Sequence, residues 1–135
     1  MKNNNSDFKK ISFKQKGDER GSLIVIENNI DVPFEIKRVF YIYGTEGNIV
    51  RGQHANRKTE FVLINISGSS KIKIDNGTVE QIIDLKSPDH GVYIPKMVWK
   101  EMYDFSENSI LLVLASEPYD SEEYINNYEE YLKEV

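Results

Sequence analysis

The sequence predicts an all-β fold with a short C-terminal helix. Its apolar runs are short, and turn residues recur after roughly 8 to 12 residues, the pattern of an antiparallel sandwich or barrel. An Asn-Gly pair at Asn76-Gly77 lies between two alternating segments, and such a pair is the strongest short-range signal for a β-hairpin. The 135 residues are expected to form one domain over residues 1–135, with residues 1–6 disordered.

The predicted strands are rich in β-branched and aromatic residues and end at turn residues. They comprise residues 23–26, 38–43, 61–66, 71–74, 79–85, 91–94 and 110–114. Residues 121–135 differ, because this segment is charged and carries Tyr124, Tyr128 and Tyr131 at helical spacing. We expect this segment to form a terminal helix that packs on the sheets.

The composition argues against several classes of protein. The sequence has no cysteine, which rules out disulfides and thiolate chemistry. Its formal net charge of -5 argues against a general nucleic-acid binder, although a local cationic pocket would still suit a small polyanion. The N-terminus lacks the pattern of a signal peptide, and the longest apolar run, Ile110–Ala115, is too short to cross a bilayer. A cytoplasmic protein outside the membrane is therefore predicted.

The most informative segment runs from Arg51 to Glu60. It contains a glycine, then His54 and Asn56 two residues apart, then Glu60, and Gly68 follows the next predicted strand. This outline resembles the first cupin motif, in which Asn56 would be a second histidine. Because residues i and i+2 of a strand share a face, His54 and Asn56 are expected to face the interior of a barrel together.

A second segment, residues 91–100, resembles the second cupin motif. Its glycine and proline stand at the expected places, but Lys100 replaces the last metal histidine of that motif. An ammonium group has no lone pair to offer a metal, and one remaining imidazole is a poor basis for a metal site. Asn56 and Lys100 therefore predict a site that has no metal or other cofactor and relies on His54 as a base.

Further short stretches match one group of enzymes in order and spacing. They are Arg20-Gly21-Ser22-Leu23 and residues 36–42, 51–55, 87–88, 91–95, 99–102, 104–106, 112–116, 119–120, 124–125 and 128. Over nearly its whole length the chain resembles the dTDP-4-oxo-6-deoxyglucose 3,4-ketoisomerases, small cupin enzymes of nucleotide-sugar biosynthesis. The resemblance implies a cupin-type small β-barrel (jelly roll) that acts on a dTDP-linked 4-oxo-6-deoxy sugar. It also implies a homodimer in which N-terminal strands contribute to the partner's sheet.

The reaction implied by this resemblance moves a carbonyl between adjacent carbons. A base removes the proton beside the ketone, an enediolate forms, and a proton returns to the former carbonyl carbon. His54 is assigned as the base, because a neutral imidazole can both accept and return the proton. The positive charge of Lys100 would keep the His54 imidazole neutral by like-charge repulsion. The groups expected to stabilise the negative oxygen are Lys100, Asn56, Arg20 and Tyr41.

Other candidate residues follow from the needs of the substrate. Arg51 is expected to clamp the diphosphate bidentately, with Lys71 and Lys73 on one face of the next strand as alternatives. Glu60 is expected to orient His54 or Lys100.

Four further positions, three aromatic residues and one histidine, are assigned to the interior or the surface. We expect only one of Tyr41 and Tyr43 to face inward, and the resemblance favours Tyr41. Trp99 is expected in the core. His90 lies outside both motifs and is expected at the surface.

Two other functions remain open. A sugar 3,5-epimerase also deprotonates carbons beside a ketone, but usually pairs a histidine base with a tyrosine acid. A non-catalytic cupin would bind a sugar nucleotide as a sensor or as a subunit of a larger enzyme.

For the ketoisomerase, a galacto product is predicted, with Arg20 and Lys100 determining the configuration at carbon 4. The implied setting is the synthesis of 3-amino-3,6-dideoxyhexoses for surface polysaccharides such as lipopolysaccharide.

Overall fold

The computed structural model describes residues 8–135, and its main elements are two five-stranded antiparallel sheets. In spatial order the first sheet contains β1 (Lys9–Ser12), β9 (His90–Ile94), β6 (Phe61–Ser67), β11 (Ile110–Ala115) and β4 (Arg38–Tyr43). The second contains β12 (Tyr124–Ile125), β5 (Arg51–Asn56), β10 (Trp99–Tyr103), β7 (Ser70–Asp75) and β8 (Glu80–Leu85). A separate hairpin pairs β2 (Gln15–Asp18) with β3 (Gly21–Ile24). The expected disorder of residues 1–6 falls outside the described residues.

The main core lies between the two sheets. Leu63, Val92 and Leu111 of the first sheet pack in one cluster with Ile72 and Ile83 of the second, and all five are buried. Burying each such side chain contributes about 1.5 to 3 kcal/mol, so this seam dominates the stability of the fold. The predicted all-β class is confirmed. Within residues 8–135, however, no backbone ladder joins the two sheets, so the jelly roll is an open sandwich and not a closed barrel.

The outer face of the first sheet carries a second, smaller core. Phe13, Val32 and Phe34 from the N-terminal part of the chain cover Val62 and Ile64 of β6. This explains why β6 reads as a nearly continuous apolar run, since both of its faces are buried.

Most predicted strands are confirmed within one or two residues of their bounds. The hairpin between β7 and β8 forms as the Asn-Gly signal predicts, because Asn76 Oδ1 accepts the amide N–H groups of Thr78 and Val79. Gly77 has φ +94° there, a conformation that favours glycine. β1, β2 and β10 had no separate strand prediction.

The predicted terminal helix is much shorter than expected. Residues 121–135 form a 3₁₀ turn (Ser121–Glu123), the strand β12, and then the helix α1 (Tyr128–Glu134). An N-cap residue fixes where each of the two helices begins. The Asp120 side chain accepts the amide N–H of Glu122 at the 3₁₀ turn, and the Asn127 side chain accepts that of Glu130 at α1. Tyr124 therefore belongs to a strand that pairs with β5 and not to the helix. Among the described residues, α1 and every other helix are too short and too polar to cross a membrane.

Candidate active site

A cavity of about 140 Å³ lies between the sheets, beside the edge formed by β4, β5 and β12. Its lining is mostly apolar with a few polar groups, the usual composition of a small-molecule site. The lining residues are Phe40, Ile42, Arg51, Gly52, His54, Phe61, Leu63, Lys100, Met102, Val113 and Tyr124. Three predicted site residues, Arg51, His54 and Lys100, are therefore brought together.

A β-bulge in β5 aims His54 into this cavity. His54 pairs with Lys100 of β10, but Glu101 pairs with Gly52, which leaves Gln53 as an extra residue. Gly52 and Gln53 have φ values of +83° and +61°. A Cβ at Gly52 would lie 3.0 Å from the carbonyl oxygen of Lys100, so glycine is required for both conformation and space.

Asn56 and Lys100 form the buried polar pair of the site. Lys100 Nζ donates a hydrogen bond of 3.0 Å to Asn56 Oδ1 and lies 4.2 Å from the ring centroid of Phe61. Asn56 is 1% exposed and Lys100 4% exposed. The amide nitrogen of Asn56 is also buried, and it has no acceptor among residues 8–135. Asn56 and Lys100, which stand at the histidine positions of the two cupin motifs, thus fix one another's orientation.

The pKa of the Lys100 amine is lowered, which favours its neutral form. Its pKa is lowered from 10.5 to about 7, mainly by burial. The charge of Glu123 partly opposes this shift, and the charge of Arg38 adds to it. An amine with this pKa exists as both ammonium and free base near neutral pH, so it can supply positive charge or exchange a proton.

The imidazole of His54 is neutral at physiological pH. Its pKa is lowered from 6.5 to about 4, chiefly by burial and also by the positive charge of Lys100. A hydrogen bond to the backbone of Gly52 and the charge of Glu123 partly offset this shift. The ring of Tyr124 packs edge-on against the imidazole with centroids 4.7 Å apart. The expected like-charge effect of Lys100 on the pKa of His54 is present, but burial is the larger cause of the shift.

Glu123 and Tyr124 are site residues that sequence reasoning missed. The Glu123 carboxylate is buried and accepts the amide N–H groups of Lys58 and Thr59 at 2.9 and 3.0 Å, and also the Thr59 hydroxyl. These bonds connect the 3₁₀ turn to the loop that follows β5 and position Tyr124 beside His54. An acidic residue in a charged C-terminal segment gave no signal of this role.

We expect Glu123→Gln to destabilise the fold by about 1.5 to 3 kcal/mol, because an amide replaces a charged acceptor and turns one N–H towards existing donors. The free energy of unfolding in urea, followed by Trp99 fluorescence, measures the change. Glu122→Gln is the matched control, since Glu122 is exposed. Equal stability of the two variants would contradict the anchoring role.

Arg20 lies apart from the cavity in this chain. It stands on the β2–β3 hairpin, where its guanidinium forms hydrogen bonds to Asp18. Its side chain is 86% exposed. The expected grouping of Arg20 with Lys100 is therefore not formed within one chain.

Lys71 and Lys73 were wrongly expected near the diphosphate. Both face outward from β7, where Lys71 Nζ lies 2.6 Å from Asp84 and Lys73 Nζ lies 3.5 Å from Glu80. Their neighbours Ile72 and Ile74 are buried in the core, so strand alternation turns both lysines away from the cavity.

The expected position of Tyr41 is also wrong. Residues two apart on a strand share a face, so Tyr41 and Tyr43 point the same way. Both lie on the outer face of β4, 61% and 70% exposed, with ring centroids 6.0 Å apart. Phe40 and Ile42 line the cavity instead.

In the described part of the chain Glu60 forms no hydrogen bond or ion pair with His54 or Lys100, contrary to expectation. Its carboxylate accepts the Tyr93 hydroxyl at 2.6 Å, and its amide N–H bonds the Ser116 hydroxyl. Its neighbour Phe61 takes the inward position at the start of β6. Among residues 8–135, no three His, Cys, Asp or Glu side chains are placed to hold a metal ion.

The remaining two assignments agree with the structure. Trp99 is 4% exposed and packs with Tyr128 and Tyr131 of α1, so it belongs to the core. His90 is exposed beside Asp89 on the surface.

A comparison with protein families agrees with this geometry. Residues 6–135 match the family described as FdtA: WxcM-like, C-terminal. The chain belongs to this family. Relatives named as isomerases are similar over almost the whole chain. A TDP-4-oxo-6-deoxy-alpha-D-glucose-3,4-oxoisomerase from Aneurinibacillus thermoaerophilus is 46% identical over 127 residues, which are 94% of this chain and 91% of the relative.

Solved structures of FdtA-family relatives superpose closely on the fold. The WlaRB TDP-quinovose 3,4-ketoisomerase from Campylobacter jejuni is 49% identical with a TM-score of 0.91, covering 94% of this chain and 98% of that one. A mutant of the 3,4-ketoisomerase QdtA from Thermoanaerobacterium thermosaccharolyticum was solved in complex with TDP-4-keto-6-deoxyglucose. It is 46% identical with a TM-score of 0.92, covering 95% of this chain and 93% of that one.

Proposed function

We propose that this FdtA-family chain is a sugar-nucleotide 3,4-ketoisomerase that converts dTDP-4-oxo-6-deoxy-D-glucose to a dTDP-3-oxo-6-deoxyhexose. The observation that carries the proposal is the neutral His54 imidazole held beside the buried Lys100 amine in a cavity open to a small ligand. A relative named as a 3,4-oxoisomerase is 46% identical to it and one named as a 3,4-ketoisomerase 49% identical, which supports the same isomerase class.

In this mechanism His54 removes the proton from carbon 3. The electrons form a carbon–carbon double bond to carbon 4, and the ketone oxygen at carbon 4 becomes negative. The ammonium form of Lys100 offsets that charge. The buried amide nitrogen of Asn56, which has no acceptor among residues 8–135, donates a hydrogen bond to a sugar oxygen. The hydroxyl proton on the oxygen of carbon 3 then moves to the oxygen of carbon 4. His54, after exchanging its proton with solvent, delivers a proton to carbon 4, and a ketone forms at carbon 3.

We further propose that two copies of the chain form a homodimer. The outer face of β4 exposes Val39, Tyr41 and Tyr43, and the β2–β3 hairpin exposes Leu23. A lone two-stranded hairpin is marginally stable, so docking on a second copy would stabilise it and cover both apolar surfaces. In that arrangement Arg20 would serve the partner's site.

We place this enzyme in the cytoplasm, supplying sugars for lipopolysaccharide and related surface glycans.

The configuration at carbon 4 depends on the face that receives the returning proton. We propose the galacto product, with Arg20 and Lys100 setting the face. A gluco product is the second candidate, because quinovose, which has the gluco configuration, is part of the name of the Campylobacter relative.

Proton NMR of dTDP-4-oxo-6-deoxyglucose with EDTA-treated protein tests the reaction. In deuterated buffer the ketoisomerase yields a 3-oxo sugar with deuterium at carbon 4, whereas a 3,5-epimerase exchanges carbons 3 and 5. In ordinary water the coupling between the protons on carbons 4 and 5 distinguishes galacto from gluco. An unchanged substrate that still binds would favour the non-catalytic alternative.

A further inference from the structure

Arg38, at the start of β4, holds its guanidinium among aromatic rings beside the cavity. Its guanidinium carbon lies 5.4 Å from the ring centroid of Phe40 and 6.0 Å from that of Phe61. Both of these rings line the cavity. On its other side lies Tyr119 at 5.7 Å, whose ring packs on Tyr124 with centroids 5.8 Å apart. Arg38 therefore sits where the cavity meets the exposed ring of Tyr119.

Two donors of Arg38 are buried without a hydrogen-bond acceptor. Nε and Nη2 are inaccessible to solvent, and neither has an acceptor among residues 8–135. These two nitrogens form one edge of the guanidinium, so their N–H bonds run parallel. This edge is the one that binds two oxygens of a phosphate or carboxylate. Native proteins rarely leave such buried donors unpaired, which indicates a missing ligand.

The protein itself offers no anion to Arg38 in the described part of the chain. Arg57 and Lys58, in contrast, are paired with carboxylates, those of Glu134 and Asp120. The buried Glu123 carboxylate is already engaged by Lys58 and Thr59. The three aromatic rings around Arg38 instead stabilise the cation through their faces and hold the guanidinium in position.

We propose that Arg38 binds a phosphate group of the nucleotide diphosphate through its Nε–Nη2 edge. This inference rests on the proposed function, and it adds a substrate-binding residue to those predicted from sequence. The phosphate would lie at the rim near Tyr119, with the sugar deeper, towards His54. Because the charge of Arg38 lowers the pKa of Lys100, a bound phosphate would offset that charge and favour the ammonium form of Lys100 in the complex.

Titration calorimetry with TDP and with thymidine tests this assignment. Arg38→Met should weaken TDP binding by roughly 10- to 100-fold, because two charge-assisted hydrogen bonds are lost, and should leave thymidine binding unchanged. Arg38→Lys keeps the positive charge but loses the two parallel N–H donors of the guanidinium, so its TDP affinity should be intermediate. The matched control is Arg57→Met, which removes an arginine paired with Glu134 and should bind TDP within about twofold of wild type.

The possible results separate this inference from the proposed function. Wild-type TDP affinity in a folded Arg38→Met variant would overturn the inference, whether turnover falls or not. Equal weakening of TDP and thymidine binding would also overturn it, since a phosphate contact affects TDP alone. A wild-type protein that binds TDP but does not isomerise the sugar would overturn the proposed function, and selective loss of TDP binding in Arg38→Met would then still support the phosphate contact. Near-ultraviolet circular dichroism establishes that each variant is folded.

Discussion

His54→Asn should lower the turnover of dTDP-4-oxo-6-deoxyglucose by about 10²- to 10⁴-fold, the usual contribution of a positioned general base. Asparagine retains a polar group of similar size but cannot accept a proton near neutral pH. In the wild-type protein, burial and Lys100 hold the pKa of His54 at about 4, so the imidazole is neutral and ready to act as a base throughout the physiological range. Single-turnover NMR in deuterated buffer measures both the rate and the incorporation of deuterium at carbon 4.

The same substitution should leave nucleotide binding nearly intact. His54 faces the sugar in this mechanism, so the TDP dissociation constant is expected to change by less than about threefold, or 0.7 kcal/mol. His90→Asn is the matched control, because His90 is the only other histidine of the sequence and lies exposed beside Asp89. Normal turnover by His54→Asn, or deuterium exchange at an unchanged rate, would show that another group removes the proton.

The motif residues were predictable because local spacing decides where they lie. His54 and Asn56 share a face of β5 by strand geometry, and Lys100 is the direct neighbour of His54 on β10. The outward direction of Lys71 and Lys73 was also readable, since the isoleucines between and after them are apolar and had to point into the core. The need for cations beside the diphosphate outweighed that alternation in the prediction, but the structure places both lysines outside the cavity.

Other site residues depend on contacts that a sequence does not display. In β4 both faces carry large side chains, so the pattern does not show whether Arg38 and Phe40 or Val39 and Tyr41 face inward. Tyr124 stands at helical spacing to Tyr128, but the Asn127 cap starts the helix after Tyr124 and leaves it in a strand beside His54. Such caps compete with periodicity, and the tertiary pairing of β12 with β5 decides the outcome.

Lys100→Met should stabilise the folded protein while it removes activity. The pKa of Lys100 falls from 10.5 to about 7 on burial, so the folded state binds fewer protons than the unfolded state between these values. Stability therefore rises with pH from about 7 to 10.5, and the cost of burying this amine, about 5 kcal/mol, is fully present below pH 7. Methionine removes that cost but leaves Asn56 Oδ1 without its donor, which costs about 1 to 3 kcal/mol.

The net expectation at pH 6 is a gain of about 2 to 4 kcal/mol in the free energy of unfolding, shrinking towards zero by about pH 9. Urea unfolding at both pH values, followed by Trp99 fluorescence, measures it. Lys37→Met is the matched control, because Lys37 is half exposed beside Glu117 and should change stability by less than about 1 kcal/mol at either pH. A Lys100→Met variant that is less stable than wild type at pH 6 would contradict the burial cost.

The activity of the Lys100 variants separates charge from proton transfer. Because the ammonium form stabilises the enediolate, kcat/KM of the wild-type enzyme should fall above pH 7 as the free enzyme loses that proton. Lys100→Met should lower kcat/KM by about 10²-fold or more at pH 6, the usual loss for one stabilising group at a developing oxyanion. Lys100→Arg keeps a permanent charge, so its alkaline decline should disappear while part of the rate remains. If the decline near pH 7 persists in Lys100→Arg, a different group titrates, and Lys100 acts by position alone.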